Sequence, residues 1–447
     1  MSPSPQPLAS GIEGQTVRKV AWRLIPFLMV CYLMAYIDRA NVGMASLQMN
    51  QDLGLTPQIF AFASSLFFVA YFVCEVPGNL ALQRFGARRW LARIMITWGA
   101  VTIVTAWVNS AETFYAARLL LGAAEAGFFP GVLLYFSYWL PSKYRARMVA
   151  TFMMAMPIAS VVGSPISAGL LHLDGLMGLR GWQWLFVLEG IPTVLLGIAC
   201  LKWLVDGPAH ARFLKPEERE WLVAELESEA EAQKKVPAHS FWRTLTNKYV
   251  LCLALVNTGS ASASITMAVW GPQLLKSFNL SVTQTGFLAS VPYVLASLVM
   301  VLWGRSSDRK GERHWHTLIP LVVICAGCLG VAVTSQLVIT VASLCVVACG
   351  MYCLTGPFWA LAAQVLSARS AAVGLATINA VSNVIGGGLM VNAFGFIKQS
   401  TGSFHLAILP LAGLTLVSLA ALFYVTRGVT PTAIEDTAGS TLKPQKA

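Results

Sequence analysis

Asn79-Leu80-Ala81-Leu82-Gln83-Arg84-Phe85-Gly86-Ala87-Arg88-Arg89 returns, about half the chain later, as Gly304-Arg305-Ser306-Ser307-Asp308-Arg309-Lys310-Gly311-Glu312-Arg313. Aligning Gly86 with Gly311 superimposes Arg84 on Arg309 and Arg88 on Arg313, so each copy is a basic tight turn that closes a long apolar segment. Glycine at the shared position permits a backbone turn that other residues resist. The repeat marks an internal duplication.

Around these turns the chain is soaked in apolar residues. Of 447 residues, 56% are hydrophobic and 11% charged, more apolar side chain than one water-surrounded core can hide. Lipid is the expected solvent. Only helices and closed barrels satisfy their backbone groups in hydrocarbon, and the apolar stretches here are of helix length. They fall at about 24–45, 59–82, 91–108, 114–140, 147–171 and 182–204, then at about 249–275, 284–303, 317–334, 337–363, 371–397 and 404–426. The expected fold is an all-α integral membrane protein of twelve transmembrane helices, built as two six-helix bundles related by a pseudo-two-fold axis. The N-terminal bundle occupies 1–204, a polar linker 205–248, and the C-terminal bundle with a short tail 249–447. Pro216, followed by Glu217, Glu218 and Glu220, reads as the start of a helix within the linker. Parallel repeats of this kind build secondary transporters.

The formal charge of +11 hints at nucleic acid until the basic residues are placed along the chain. Roughly 25 of the 31 fall in alternate loops on one side and about three on the other, the bias that marks the cytoplasmic face. The basic side holds Arg18, Lys19 and Arg23; Arg84, Arg88, Arg89 and Arg93; Lys143, Arg145 and Arg147; and Arg305, Arg309, Lys310 and Arg313. Arg180, Lys276 and Lys398 stand opposite. Both termini are thus expected in the cytoplasm, and nucleic acid is not an expected partner. Met1–Ser10 lacks the basic start of a cleaved signal peptide. The nine cysteines lie inside apolar segments with no histidine or acid beside them, so they read as small packing residues, not metal ligands. No cofactor is implied. The six histidines form no catalytic constellation, which argues against a polytopic enzyme, and the linker is too short to carry a signalling domain.

Ionised residues inside spans are the informative ones, since each costs about 2.5 to 3.5 kcal/mol near a helix centre and therefore normally serves a function. Asp38 and Arg39 lie in the first span, Glu75 in the second, Arg118 and Glu125 in the fourth and Glu189 in the sixth. Arg118 and Glu125 are two helical turns apart on one face, about 10 Å along the axis. A polar cavity between the first and fourth spans would gather two guanidinium groups and two carboxyls, arranged as Asp38 with Arg118 or Arg39 with Glu125. Arginine offers paired donors to a carboxylate, and a buried acid can take and release a proton near neutral pH. Glu75 reads as a brace for the basic turn below it, and Glu189 as a residue near the outer end whose carboxyl snorkels to water. Asp308 and the arginines of the two basic turns read as a charge-paired latch. Glycines and prolines within the fourth, fifth and eleventh spans mark bends or close helix packing.

Several stretches together resemble the major facilitator superfamily, and within it the anion:cation symporter family: Tyr36-Ile37-Asp38-Arg39-Ala40-Asn41-Val42-Gly43; Glu75-Val76-Pro77 through Arg84-Phe85-Gly86-Ala87-Arg88-Arg89-Trp90; Arg118 through Glu125-Ala126-Gly127-Phe128-Phe129-Pro130-Gly131; and Gly181-Trp182-Gln183-Trp184-Leu185-Phe186 leading to Glu189-Gly190. The resemblance, strongest to bacterial tartrate, hydroxyphenylacetate and phthalate permeases, implies proton-coupled import of a small organic carboxylate across the bacterial inner membrane by alternating access. An anion exchanger or facilitator is the alternative. The resemblance also implies proton-coupling acids at Asp38 and Glu125, substrate-binding groups at Tyr36, Arg39, Arg118, Trp359 and Asn379, and gating by Arg84, Arg88, Asp308, Arg309 and Arg313. Its other partners are protons and the bilayer, and a monomer is expected. Gln83 departs from the family pattern, which has Asp at that place in the first turn, and the seventh span has Asn257, Thr258 and Ser260 where some relatives carry a basic residue.

Overall fold

A computed structural model describes residues 11–234, 247–366 and 371–428. Met1–Ser10, the middle of the linker and the tail from Thr430 lie outside the described residues. Within them every regular element is helical. The helices are α1 (Ile12–Asp52), α2 (Pro57–Phe85), α3 (Ala87–Thr105), α4 (Ala111–Glu125), α5 (Phe128–Ser137), α6 (Ser142–Met153), α7 (Ala155–Leu171), α8 (Gly181–Trp203), the linker helix α9 (Pro216–Lys234), α10 (Lys248–Lys276), α11 (Val282–Lys310), α12 (His314–Val333), α13 (Leu337–Val365), α14 (Ala371–Asn383), a π-helical turn (Val384–Met390), α15 (Val391–Thr401), α16 (Phe404–Ala407) and α17 (Leu409–Gly428).

Eleven segments among the described residues are long and apolar enough to cross a bilayer. The remaining expected span, the third, is α3: its 19 residues carry Arg88, Arg89 and Arg93 in the first two turns, which leaves too short an uncharged stretch to count alone. Large apolar side chains such as Val73, Val104, Leu298, Leu302 and Val338 are more than 60% exposed. A water-soluble monomer does not spread such residues over its surface, whereas lipid solvates them at no cost.

Three spans are interrupted where glycine or proline was expected to bend them. The fourth divides into α4 and α5 at Ala126 and Gly127, the latter at φ +86. The fifth divides at Met154, three residues before Pro157. The eleventh passes through the π-helical turn that contains Gly386, Gly387 and Gly388. Gly86 and Gly311, the aligned glycines of the duplicated turn, both take positive φ, +85 and +63. Their ψ values differ, 146 against 14, so the duplication preserves the need for glycine but not the path of the turn.

The described residues form two compact units, whose boundary falls inside α1, α2 and α7. One holds the chain through Asn41, Val69–Gly163 and Leu170 to the end of α9; the other holds Val42–Phe68, Ser164–Gly169 and everything from Asn247 onward.

In the first unit α3 and α8 pack backbone to backbone. A Cβ on Gly99 would lie 2.9 Å from the Gly190 carbonyl oxygen, and one on Gly190 would lie 2.9 Å from that of Gly99. Small residues at such crossings are how helices approach closely in lipid, where no hydrophobic force drives them together. An aromatic group fills the space beside them: Tyr32 stacks on Phe152 at 4.6 Å and Phe129 at 5.4 Å, and Trp98 meets Phe128 edge-on at 6.0 Å. The linker helix also belongs to this unit. Lys19 Nζ of α1 lies 2.5 Å from Glu218 Oε1, and Glu229 accepts from the Ser142 N–H at 2.9 Å, capping α6. Burial pulls the Glu218 carboxyl upward, but hydrogen bonds from Lys19 and the Lys215 N–H outweigh it and hold the group below the usual range.

The second unit repeats the close-packing device. Cβ atoms on Gly327 and Gly350, where α12 meets α13, would fall 2.9 Å from the Ser343 and 2.8 Å from the Pro320 carbonyl oxygens. Trp270, fully buried, stacks on Phe394 at 4.9 Å and takes Phe60 edge-on at 5.4 Å. Asn392 donates to Ser65 Oγ at 2.6 Å.

Gly190→Val is expected to lower the stability of the detergent-solubilised protein by about 1 to 3 kcal/mol, because the added carbons must displace backbone. Gly169→Ala, whose Cβ meets nothing within 4 Å, is expected to leave the thermal midpoint equal or slightly raised. Thermal unfolding of both variants checks the pair.

Candidate functional site

The charged side chains expected to cluster do so inside the first unit. Arg39 of α1 directs two donors at a single oxygen of Glu125 on α4: Nε at 2.6 Å and Nη2 at 2.5 Å from Oε1. Glu125 is 1% exposed as a side chain and Arg39 25%. Of the two pairings open from the sequence, Arg39 with Glu125 is thus formed. Helix geometry explains why it is needed. Glu125 is the last residue of α4, where the exposed carbonyls form the negative end of the helix dipole and oppose a carboxylate. A guanidinium offsets both that field and the loss of water. The break at Ala126 is braced by α2, since a Cβ on Gly78 would sit 3.1 Å from the Ala126 carbonyl oxygen.

The surroundings of Arg39 are aromatic. Its guanidinium lies 5.2 Å from the Tyr71 ring and 5.7 Å from that of Tyr36, within the range at which ring faces attract a cation. Glu75 is within electrostatic reach of Arg39 and 9% exposed.

Asp38 faces another way from Arg39, as adjacent helical residues must. It is 1% exposed and accepts from Asn41 Nδ2 at 3.0 Å. The charges of Glu189, Glu125 and Arg118 all act on it. Arg118, 3% exposed, feels both Glu125 and Asp38. Glu189 does not snorkel: it is 3% exposed, one residue before Gly190, where α8 crosses α3 closely, and its charge acts on Asp38. Its place toward the outer end of the span predicts exposure, and burial of α8 against its neighbours overrides that.

Tyr36 therefore joins Asp38, Arg39, Arg118 and Glu125 in one neighbourhood. Trp359 and Asn379 belong to the second unit, each half-buried, with Trp359 packed edge-on against Phe358 at 5.1 Å.

The basic turns differ in how they are held. In the second unit, Arg313 bonds Asp308 Oδ1 at 2.8 Å and Ser307 Oγ at 2.7 Å, so that turn is self-contained. Arg309 is exposed. In the first unit, where Gln83 offers no charge, the acid comes from the segment that follows α8: Asp206 accepts from the Arg88 N–H at 2.9 Å and lies 3.8 Å from Arg88 Nε. Its carboxylate caps the positive N-terminal end of α3, which otherwise begins with Arg88 and Arg89. Arg84 is exposed, its guanidinium 5.7 Å from the Phe85 ring. Nothing in the local sequence of the turn pointed to Asp206, which lies 118 residues beyond Arg88.

Comparison with known proteins agrees with this architecture. The family model of the Major Facilitator Superfamily matches residues 28–391, and the chain belongs to that superfamily: it is a multi-pass membrane transporter, not an enzyme. It is 42% identical over 428 residues to an Agrobacterium vitis protein named "Putative tartrate transporter", covering 96% of this chain and 95% of that one. A "Quinolone resistance transporter" of Acinetobacter baumannii is 39% identical over 92% of this chain and 93% of its own length. Among solved structures, a bacterial homologue of the human lysosomal transporter Spinster superimposes with a TM-score of 0.75 at 15% identity, covering 92% of this chain and 97% of that chain. The D-xylose-proton symporter does so with 0.71 at 13%, covering 92% and 98%. At these identities the structural likeness concerns the fold alone.

If the Arg39 to Glu125 pair is what makes burial of either charge tolerable, Arg39→Gln and Glu125→Gln should each destabilise the substrate-free protein by about 3 to 5 kcal/mol, and the double substitution by clearly less than either. A double-mutant cycle by thermal unfolding measures this, with additive losses as the contrary result.

Proposed function

We propose that the protein is a proton-coupled importer of a small organic carboxylate, working by alternating access in a bacterial inner membrane as a monomer with both termini cytoplasmic. The observation that carries this reading is the buried bond between Arg39 and Glu125. A carboxylate already occupies the guanidinium, so an incoming carboxylate must take its place, and the displaced acid avoids a bare buried charge only by accepting a proton. Proton and substrate are then bound together. Asp38 and Glu125 are the coupling acids in this scheme, and Arg39 and Arg118 the anion-binding groups. Tyr36, Trp359 and Asn379 contribute ring faces and neutral hydrogen bonds that shape selectivity. On the cytoplasmic side, loss of the proton restores the internal pair and expels the substrate. Arg84, Arg88, Asp308, Arg309 and Arg313 act as gating residues through the two basic turns.

The relative named for tartrate supports a carboxylate as cargo. The second reading, an anion exchanger or facilitator, uses the same arginines without net proton movement.

Purified protein in liposomes separates the two. With labelled tartrate, accumulation is expected under an inward proton gradient and is expected to collapse when an ionophore removes that gradient. Concentrative uptake that survives the ionophore, or counterflow without proton movement, would favour the second reading. A panel of tartrate, phthalate, hydroxyphenylacetate and aldonates, screened by thermal stabilisation, identifies which carboxylate to label.

A further inference from the structure

Where α1 and α10 end, at the opposite end of the spans from the two basic turns, the second unit holds a cleft of about 260 Å³. Ser46, Asn50 and Gln51 of α1, Gln273 and Lys276 of α10 and Phe404 of α16 line it. α1 and α10 pack too tightly at Gly43 for a Cβ to fit against the Ala268 carbonyl oxygen, and the polar lining begins roughly one turn further along each helix. Gln399 of α15 accepts from the Gln58 N–H at 3.0 Å, which fastens the segment before Phe404 to the start of α2.

The lining is electropositive. Lys276 Nζ donates to the Leu280 carbonyl oxygen at 2.6 Å, a bond that fixes the ammonium and uses one of its three donors. Lys398 Nζ bonds the Gly402 carbonyl oxygen and lies 3.9 Å over the ring of Phe404. Of the three basic residues that the sequence places opposite the cytoplasmic loops, two thus stand at this cleft. The segments that line it carry one acid, the exposed Asp52.

Two buried atoms of the lining have no hydrogen-bond partner among the described residues: Asn50 Oδ1, an acceptor, and Gln273 Nε2, a donor. A ligand that satisfies both must itself donate one hydrogen bond and accept another. The ammonium of Lys276, one turn beyond Gln273, makes an anionic oxygen the favoured acceptor. A small acid with a hydroxyl beside its carboxylate supplies every partner, whereas a plain dicarboxylate leaves Asn50 Oδ1 unmet.

We propose that this cleft is a second binding site, an outer one, that takes a small hydroxycarboxylate ahead of the arginines of the first unit. The carboxylate is held by Lys276 and Gln273, and the hydroxyl donates to Asn50. Lys398 adds attraction for an anion approaching from that side. The inference rests on the reading above that the cargo is an organic carboxylate and that this end faces outward.

Equilibrium dialysis of labelled tartrate against the full-length protein in lipid nanodiscs counts the sites. The wild type and Lys276→Arg are expected to bind two tartrates per chain, and Lys276→Gln and Gln273→Leu one. Succinate, with the same two carboxylates and no hydroxyl, is expected to compete about fivefold to tenfold more weakly at the outer site. A single site in the wild type that Lys276→Gln leaves intact, or two sites in every variant, would overturn the proposal, and equal competition by succinate would overturn the part given to Asn50. Should Gln273→Leu not fold, Lys276→Gln decides alone. Failure of the reading built on Arg39 is separable: the double variant Arg39→Gln with Glu125→Gln would then keep both sites, whereas that reading predicts that only the outer one remains.

Discussion

A charge removed from water must be met by another charge or by a proton, and the first unit is organised by that rule. Arg39 and Glu125 meet each other through two short bonds to one oxygen. Replacing one partner with a solute carboxylate is chemically conservative, since the guanidinium keeps the same kind of ligand. What changes is the fate of Glu125, stranded at the negative end of α4. In the proposed scheme the same bond that stabilises the resting protein makes substrate and proton binding interdependent, the requirement for driving one with the other.

Much of the architecture serves to hold these groups in place. Glycine crossings set the spacing of α3 and α8. The break after Glu125 lets α5 start afresh in another direction, and aromatic rings pack the wall on which Arg39 rests. At the basic ends, Lys19 with Glu218 and Ser142 with Glu229 fasten the linker helix to α1 and α6. The linker helix is therefore a structural part of the first unit as well as a connection.

The fold was legible because lipid imposes a blunt code: uninterrupted apolar stretches of helix length, charge confined to alternate loops, and a repeated glycine turn. The ionised residues of the first and fourth spans were legible for the same reason, since a charge in hydrocarbon stands out. Which charges would touch was not. Both Arg39 with Glu125 and Asp38 with Arg118 satisfied the sequence, and the first is formed in the structure through two short bonds. Glu189 was misplaced because its depth depends on the Gly99 to Gly190 crossing, a contact between residues 91 positions apart that no periodicity within α8 encodes. Asp206 was missed for a similar reason: the first turn lacks its own acid at Gln83, and the replacement arrives from the segment after α8, 118 residues beyond Arg88.

The most direct test of the central claim is to count protons when the purified, substrate-free protein binds its carboxylate in weakly buffered solution, with a pH indicator as readout. Competition for Arg39 predicts that binding takes up protons from solution and that Glu125→Gln reduces the uptake. Tight carboxylate binding that leaves the pH unchanged in the wild type would contradict it, because the displaced acid would then have remained charged.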